Sequence, residues 1–217
     1  MDSKMKPVIN VSYSYNPLEE TLEYEFKKKA VFIGIPKENS FQENRIALTP
    51  QAVAVIVNNG NRVAIEHHAG MASSFSDNDY SEAGAQIVYD KQEIFKADII
   101  LKTAPINHEE LALLNEHQII FSPIHIPSLT KEYLQKCIDK KIIGIALGNI
   151  KDDAGNYPIV RSMSQIAGVF AIQTASKYLS NNHEGKGILM GGIAGVPPAN
   201  VVIIGAGMVG EYATRTA

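Results

Sequence analysis

The sequence predicts an α/β fold organised around a parallel β-sheet. Short apolar runs rich in β-branched residues are typical of buried strands, and six of them are spaced along the chain. Helix-start and helix-stop signals lie between several of these runs, and strands that alternate with helices form βαβ units. The predicted strands are Val31–Ile35, Arg62–Glu66, Asp98–Leu101, Gln118–Phe121, Ile142–Leu147 and Val201–Ile204.

Two of the predicted helices have clear boundary signals. Thr49 offers a hydroxyl that can cap a helix, and Pro50 follows it at the first helical position. Asn59 and Gly60 mark the end of this helix, because both residue types tolerate the left-handed backbone that often follows a helix. Thr130 provides an equivalent start for a second helix. Such helices would connect successive parallel strands.

The composition excludes several functional classes. The chain has 217 residues and a net charge of −3, whereas a nucleic-acid-binding domain usually carries a basic patch. No stretch reaches the roughly 18 apolar residues of a membrane span, and the first residues contain no apolar segment typical of a secretory signal. Cys137 is the only cysteine, which excludes an intramolecular disulfide and cysteine-based zinc patterns. We therefore expect a cytoplasmic protein without nucleic-acid, membrane or metal partners.

The chain divides into three predicted segments. Residues 1–29 are polar and charged, and form an N-terminal extension in which a four-residue apolar spacing allows a short helix. Residues 30–155 form the first, substrate-binding domain. A cluster of turn residues then leads into a long helix, for which Ser162 and Gln165 have capping-box spacing. Residues 156–217 comprise this connector helix and the first βα unit of a second domain.

A glycine-rich turn follows the last predicted strand. In its G-x-G-x-x-G spacing the first glycine permits a tight turn, the second lets the backbone approach a pyrophosphate, and the third allows close helix–strand packing. The N–H groups of the following helix, predicted at Glu211–Thr216, would hold the phosphates. A structural turn that binds nothing is the alternative. The candidate cofactor-binding residues are Gly205, Ala206, Gly207, Met208, Val209 and Gly210.

The length of sequence after this turn is short for a dinucleotide-binding domain. An acidic residue that binds the ribose is expected about 20 residues after the turn, but the sequence ends at Ala217. We therefore expect a truncated sequence, with one whole domain and the start of a second, dinucleotide-binding domain. We also expect the 217-residue piece to be inactive by itself.

Four motifs occur in an order that resembles one family. Ile33–Glu38 is followed by Glu43–Pro50, and Met163–Gly168 and Gly191–Ala199 precede the glycine-rich turn. These motifs are similar to those of the alanine dehydrogenases, and of the related transhydrogenase α subunits, from about residue 31 to the end of the sequence. The resemblance implies an NAD-dependent amino-acid dehydrogenase with two Rossmann-like domains and an active site in the cleft between them.

The resemblance implies catalytic roles for two residues. Lys102 follows a predicted strand and corresponds to a lysine that binds the substrate and takes part in catalysis. His125 also follows a strand and corresponds to the catalytic histidine, a residue type suited to moving protons near neutral pH. The structural alternatives are an ordinary lysine at a strand end and a histidine held by backbone in an apolar loop.

Two further binding residues follow from the same resemblance. Arg45 corresponds to an arginine that contacts the substrate carboxylate, which a guanidinium can bind through two hydrogen bonds. The alternative is an ion pair with Glu38 or Glu43. Ser164 corresponds to a serine that contacts the cofactor, and its alternative is a hydroxyl near a helix N-terminus. His67–His68 corresponds to no family site, and we expect surface or loop residues there.

The leading hypothesis is reversible oxidative deamination of L-alanine to pyruvate and ammonium, with hydride transfer to NAD. The sequence departs from the family pattern at Leu147, Gly148, Gln165 and Val169. These departures leave open a divergent amino-acid dehydrogenase, or a regulator that binds the dinucleotide without turnover. The NAD-binding subunit of a transhydrogenase is a further alternative. The expected partners are a small amino acid or 2-oxo acid and other copies of the chain, because an incomplete sheet exposes apolar surface.

Overall fold

A six-stranded parallel sheet forms the centre of the computed structural model, which describes residues 30–217. The helix expected in the N-terminal extension lies outside the described residues. The strands are β1 (Phe32–Ile35), β2 (Arg62–Glu66), β3 (Gln86–Val88), β4 (Ile99–Leu101), β5 (Ile119–Ser122) and β6 (Ile143–Ala146). Their order is β3-β2-β1-β4-β5-β6, and every neighbouring pair is parallel. This is the strand order of a Rossmann fold, so the predicted α/β class is confirmed.

Five of the six predicted strands are confirmed to within one residue at each end. The strand β3 has no sequence prediction, because it begins with a polar residue and has only two apolar residues, whereas the equally short β4 is entirely apolar. The prediction of a strand at Val201–Ile204 is wrong, since these residues are in no strand. A strand exists through hydrogen bonds to a neighbour, and the described chain places no other strand beside this segment.

Seven α-helices occur in the described part of the chain. The two predicted helix starts are confirmed: the hydroxyl of Thr49 accepts a hydrogen bond from the N–H of Ala52, and that of Thr130 accepts one from the N–H of Tyr133. None of the described helices is long and apolar enough to cross a membrane. The helices are α1 (Pro50–Asn58), α2 (Asp77–Glu82), α3 (Lys91–Ile94), α4 (His108–Leu113), α5 (Lys131–Asp139), α6 (Pro158–Leu179) and α7 (Met208–Thr216).

The last two helices begin earlier than predicted. Helix α6 begins at Pro158, and the hydroxyl of Ser162 donates to the carbonyl of Pro158 within the helix (3.0 Å). The predicted capping box at Ser162 is therefore wrong, because a proline in the first turn extends the helix toward the N-terminus. Helix α7 begins at Met208, directly after the second glycine of the turn, and not at Glu211.

The core lies on both faces of the sheet. Along β2, Val63 and Ile65 belong to one buried cluster and Ala64 to another, as expected because successive strand residues point to opposite faces. Tyr80 of α2 packs in the first cluster and Phe95, after α3, in the second. Because helices cover both faces of the sheet, residues on both faces are apolar, and the strands appear in the sequence as continuous apolar runs.

The strand order reverses between β1 and β4. The chain runs from β1 outward to β3 on one side, and then returns to place β4 against the other side of β1. Crossovers on the two sides leave a crevice at the carboxyl ends of these two strands, which is where open α/β sheets bind ligands. Residues that follow Ile35 and Leu101 therefore occupy the expected position of a site.

Helices α6 and α7 pack against each other at a glycine. A Cβ atom on Gly168 would lie 2.5 Å from the carbonyl oxygen of Val209 and 2.8 Å from Cβ of Tyr212. Both Gly168 and the facing Ala213 are buried. The two backbones can approach this closely only because position 168 has no side chain. The contact fixes the glycine-rich turn, which lies just before α7, relative to α6.

Substitution of Gly168 by Ala is predicted to loosen this helix pair. The added methyl group overlaps the backbone of α7, and overpacking of this kind lowers the free energy of unfolding by about 1–3 kcal/mol. Hydrogen exchange of the α7 amides and urea unfolding would measure the effect. Gly191→Ala is the control, because a Cβ there meets nothing within 4 Å. Equal stability of the two variants would contradict the prediction.

Candidate functional site

A buried ion cluster occupies the crevice between the ends of β1 and β4. Lys102, the residue after β4, has a side chain that is 1% exposed. Its Nζ lies 2.8 and 2.9 Å from the two carboxylate oxygens of Glu110 and 3.3 Å from Oε2 of Glu38. The ammonium group of Lys102 therefore donates two hydrogen bonds to Glu110, and its remaining proton faces Glu38 at a longer distance. Lys102 is not the ordinary surface lysine that was its structural alternative.

Glu38 connects the loops that follow β1 and β4. Its Oε1 accepts hydrogen bonds from the N–H groups of Thr103 (2.6 Å) and Ala104 (3.3 Å). Its Oε2 is buried and has no hydrogen-bond partner in the described chain, and the same holds for the hydroxyl of Thr103. Buried polar atoms nearly always form hydrogen bonds. We therefore expect a ligand or a water molecule to form hydrogen bonds with these two atoms.

Glu110 supplies the second carboxylate from helix α4. It accepts hydrogen bonds from Lys102 and, at 2.9 Å, from Lys91, and it completes a capping box with Asn107. Burial would raise the pKa of Glu110, but the hydrogen bonds from the two lysines outweigh this effect and the pKa is lowered. The carboxylate is therefore ionised and holds both cations in place.

Arg45 lies on the wall of a neighbouring cavity. Its guanidinium binds both carboxylate oxygens of Glu43, which raises the pKa of Arg45 and lowers that of Glu43. The ion pair with Glu43, one of the two structural alternatives, is thus present. The remaining Nη1 lies 3.1 Å from the sulfur of Met163 in α6, a weak acceptor. The cavity has a volume of about 170 Å³, and Lys37 and Glu38 also line it.

His125 and Ser164 lie on two further elements. His125 is exposed, three residues beyond β5, and its carbonyl accepts hydrogen bonds from the hydroxyl and N–H of Ser128. Within the described chain, no hydrogen bond or ion pair joins its ring to Lys102 or Arg45. Ser164 is half-buried in α6 and directly follows Met163, the residue that contacts Arg45. Lys102 thus pairs with Glu38, which also lines the cavity of Arg45, whereas His125 shares only the same edge of the sheet.

The glycine-rich turn has the geometry of a phosphate-binding turn. Gly205 has φ +120°, which only glycine adopts readily. A Cβ on Gly207 would meet nothing within 4 Å, so the backbone there is open to a ligand, whereas a Cβ on Gly210 would collide with the carbonyl of Gly205. No side chain caps the N-terminus of α7, which leaves its first N–H groups available to an anion. The turn therefore fits a dinucleotide pyrophosphate.

The chain matches the models of two domains of one protein family. The alanine dehydrogenase/PNT N-terminal domain matches residues 34–167, and the alanine dehydrogenase/PNT C-terminal domain matches residues 171–217. The chain belongs to the alanine dehydrogenase/PNT family. This membership confirms the resemblance inferred from the motifs, and it implies a nicotinamide dinucleotide as the cofactor.

Individual relatives agree with this family. The alanine dehydrogenase of Methanococcus maripaludis is 41% identical over 191 residues, which cover 86% of this chain and 50% of that protein. The alanine dehydrogenase of Staphylococcus epidermidis is 37% identical over 185 residues, which cover 85% of this chain and 50% of that protein. The chain thus spans about half the length of the curated relatives it matches.

Solved structures show the same architecture. An L-alanine dehydrogenase superposes with a TM-score of 0.81 at 32% identity, covering 85% of this chain and 51% of that one. A transhydrogenase from Sinorhizobium meliloti superposes with a TM-score of 0.73 at 23% identity, covering 85% of this chain and 53% of that one. At this lower identity the second match shows a shared fold only.

Two residues of the site were not identified from the sequence. The spacing Asn107-x-x-Glu110 is a capping-box signal that places Glu110 in the first turn of a helix. That signal predicts the hydrogen bond from the N–H of Asn107 to Glu110. It does not predict the ion pair of Glu110 with Lys102, which lies eight residues away in sequence. Lys37 lies within the motif Ile33–Glu38, but only the fold shows that it lines the cavity of Arg45.

Replacement of Glu110 by Gln is predicted to destabilise the protein. Lys102 and Lys91 would then face an uncharged amide inside the protein, and breaking a buried ion pair lowers the free energy of unfolding by about 3 kcal/mol. Because the pKa of Glu110 lies below its ordinary value of 4.5, its stabilisation is present above that pH and is lost as pH falls through the folded-state pKa. The variant should therefore lose less stability on acidification than the parent protein does, as measured by urea unfolding between pH 7 and pH 3.

Glu132→Gln is the matched control for this measurement. Glu132 also pairs with a lysine, Lys136, but both side chains are largely exposed. Exposed ion pairs contribute little to the free energy of unfolding. We expect its unfolding curve at pH 7 to match that of the parent protein. A Glu110→Gln variant as stable as this control would show that the buried cluster does not support the fold.

Proposed function

We propose that this protein catalyses NAD-dependent oxidative deamination of L-alanine to pyruvate and ammonium. One observation carries the proposal: Lys102 pairs with Glu38 at the point where the strand order reverses, and Glu38 and Arg45 line the same cavity. Two cations at a ligand-binding crevice suit the carboxylate of an amino acid. Family membership and the names of the relatives support this chemistry.

The weakly paired donors of the two cations define how the substrate carboxylate would bind. Nη1 of Arg45 contacts only a sulfur atom, and the third proton of Lys102 faces Glu38 at 3.3 Å. A substrate carboxylate would offer stronger acceptors to both groups. Since Lys102 is 1% exposed, substrate can reach it only if the loop around Glu38 moves outward. We propose that this movement accompanies substrate binding.

His125 is the proposed group that transfers protons. Oxidation of the amine gives an imine, and water then adds to the imine carbon before ammonia leaves. Each of these steps moves a proton, and an imidazole can accept and return protons near neutral pH. His125 is exposed in the loop after β5, the strand next to β4, and we propose that it faces a substrate held in the crevice.

The glycine-rich turn and Ser164 would hold the dinucleotide. The open backbone at Gly207 and the uncapped N-terminus of α7 suit the pyrophosphate, and Ser164 offers a hydroxyl on the helix that packs against α7. The bound nicotinamide would accept the hydride from the substrate Cα. We propose NAD as the dinucleotide that is used.

The complete gene product should reduce NAD when supplied with L-alanine, measured by the rise in NADH absorbance. A panel of other amino acids tests the substrate class, since the departures at Leu147, Gly148 and Gln165 alter the substrate surroundings. Binding of NAD without turnover on any amino acid would overturn the proposal and favour a dinucleotide-binding regulator.

In the same assay, His125→Ala should lower kcat by about 10²- to 10⁴-fold, the usual contribution of a general acid–base group. His117→Ala is the control, because His117 is also exposed but lies in a loop before β5. If His125→Ala keeps the parental kcat, the proton-transfer role assigned to His125 is wrong.

Gly207→Ala is predicted to weaken NAD binding without affecting the fold. The added methyl group meets no atom of the protein within 4 Å, but it occupies the space through which the pyrophosphate approaches the backbone. We expect the Kd for NAD to rise about tenfold or more, a loss of about 1.4 kcal/mol, in a calorimetric titration. The melting temperature should stay unchanged, and Gly191→Ala should bind NAD normally. Undiminished binding by Gly207→Ala would place the dinucleotide elsewhere.

We further propose that the protein acts in the cytoplasm as a homo-oligomer. Its single cysteine, which is half-buried, suits a reducing compartment. On α6, the side chains of Ile166 and Phe170 are 59% and 64% exposed, and exposed apolar surface of this kind favours association between chains.

A further inference from the structure

Two adjacent histidines and an aspartate form a cluster beyond the end of β2. Nδ1 of His67 lies 2.6 Å from Oδ2 of Asp77, and Nε2 of His68 lies 3.9 Å from the same oxygen. One ligand atom from each of the three residues lies within 4.8 Å of the other two. All three side chains are partly accessible, with exposed fractions between 22% and 52%.

The backbone at His68 brings the two imidazoles together. Successive residues of a strand point to opposite faces, but His68 has φ +62°, in the left-handed region that favours glycine. As a result the two rings lie side by side, with centroids 3.5 Å apart, and Tyr89 packs against His67 with a centroid distance of 4.5 Å. The two rings thus face the same carboxylate.

The carboxylate of Asp77 is held in place by the same turn. Its Oδ1 accepts a hydrogen bond from the N–H of His68 at 2.9 Å, which leaves Oδ2 facing both rings. A hydrogen bond from the backbone to a carboxylate that binds a metal fixes the orientation of that carboxylate. The site therefore has one fixed carboxylate oxygen and two imidazole nitrogens at distances set by a single tight turn.

One ring nitrogen in this cluster has no hydrogen-bond partner. Nδ1 of His67 is inaccessible to solvent and, within the described chain, its 2.6 Å approach to Oδ2 of Asp77 does not have hydrogen-bond geometry. An unpaired buried nitrogen facing an anionic oxygen is unfavourable. A cation bound by both atoms would remove this cost.

We propose that His67, His68 and Asp77 bind a divalent transition-metal ion of the zinc class. Neutral imidazole and carboxylate are ligands of Zn²⁺ at about 2.0–2.2 Å, so two ligand atoms of a tetrahedral site are about 3.3 Å apart. The two measured separations, 2.6 and 3.9 Å, lie on either side of this value, and small rotations of the side chains would equalise them. Mg²⁺ prefers oxygen ligands and suits the cluster less well.

The position of the site connects it to the cavity described above. His68 lines that cavity together with Lys37 and Arg45, so a bound ion would add positive charge beside the proposed carboxylate-binding group. The metal site does not depend on the proposed reaction, because its ligands are separate from Arg45, Lys102 and His125.

Titration of the chain with ZnCl₂ tests the proposal. The protein is purified without a polyhistidine tag, treated with chelator and dialysed, and binding is measured by calorimetry. We expect one Zn²⁺ per chain and at least a tenfold loss of affinity in each of His67→Ala, His68→Gly and Asp77→Asn. His117→Ala is the matched control, because His117 is also an exposed histidine with a left-handed backbone, φ +62°, and it lies outside the cluster.

The His68→Gly variant is expected to fold, so it tests the metal site even if another variant does not fold. Glycine adopts the left-handed conformation without strain, and it retains the N–H that binds Asp77, so the melting temperature should not fall. Absence of a saturable site in the parent chain, or unchanged affinity in a folded His68→Gly variant, would overturn the proposal. An equal loss of affinity in His117→Ala would show nonspecific binding to surface histidines and would overturn it as well.

Discussion

The ion cluster of Lys102, Glu38 and Glu110 is the interaction on which the arrangement of this molecule depends. A single buried charge costs several kcal/mol unless it is paired and hydrogen-bonded. Here one ammonium is enclosed by two carboxylates, and Lys91 balances the second of them. The carboxylates come from the loop after β1 and from α4, so the pairing connects elements that are far apart in sequence.

The cluster also determines what the crevice can bind. Glu110 is fully satisfied by two lysines and its helix cap, whereas Glu38 retains a buried oxygen without a hydrogen-bond partner. The unsatisfied part of the cluster thus faces the loops of β1 and β4, on the side of Arg45. The unpaired oxygen of Glu38 is an acceptor, so it suits a ligand group that donates a hydrogen bond, while the rigid part positions the ammonium of Lys102 in advance.

Helix α6 relates this crevice to the glycine-rich turn. Near its start, the sulfur of Met163 contacts Arg45, and one and a half turns later Gly168 allows α7 to approach. The proposed carboxylate-binding group and the proposed phosphate-binding turn are therefore both anchored on one helix. A two-substrate reaction requires such a fixed relation, because hydride transfer depends on the separation and orientation of the reacting atoms.

Much of the fold and part of the site followed from the sequence by itself. Apolar runs and helix caps predicted five strands and the helix starts at Thr49 and Thr130, because these signals act between residues close in sequence. The glycine spacing predicted the open and close-packed positions of the turn for the same reason. The strand at Val201–Ile204 was wrong because a strand requires a neighbour, which local pattern does not reveal.

The surroundings of the functional groups depend on contacts between residues that are far apart in sequence. Pairing of Lys102 with Glu38 spans 64 residues (102 − 38), and the contact of Arg45 with Met163 spans 118. The approach of Asp77 to the two histidines likewise depends on a left-handed turn at His68 that a histidine rarely adopts. Sequence alone determined which chemical groups are available and where the chain turns. Burial, charge compensation and access to ligand arise from long-range packing, and therefore only the folded chain determined them.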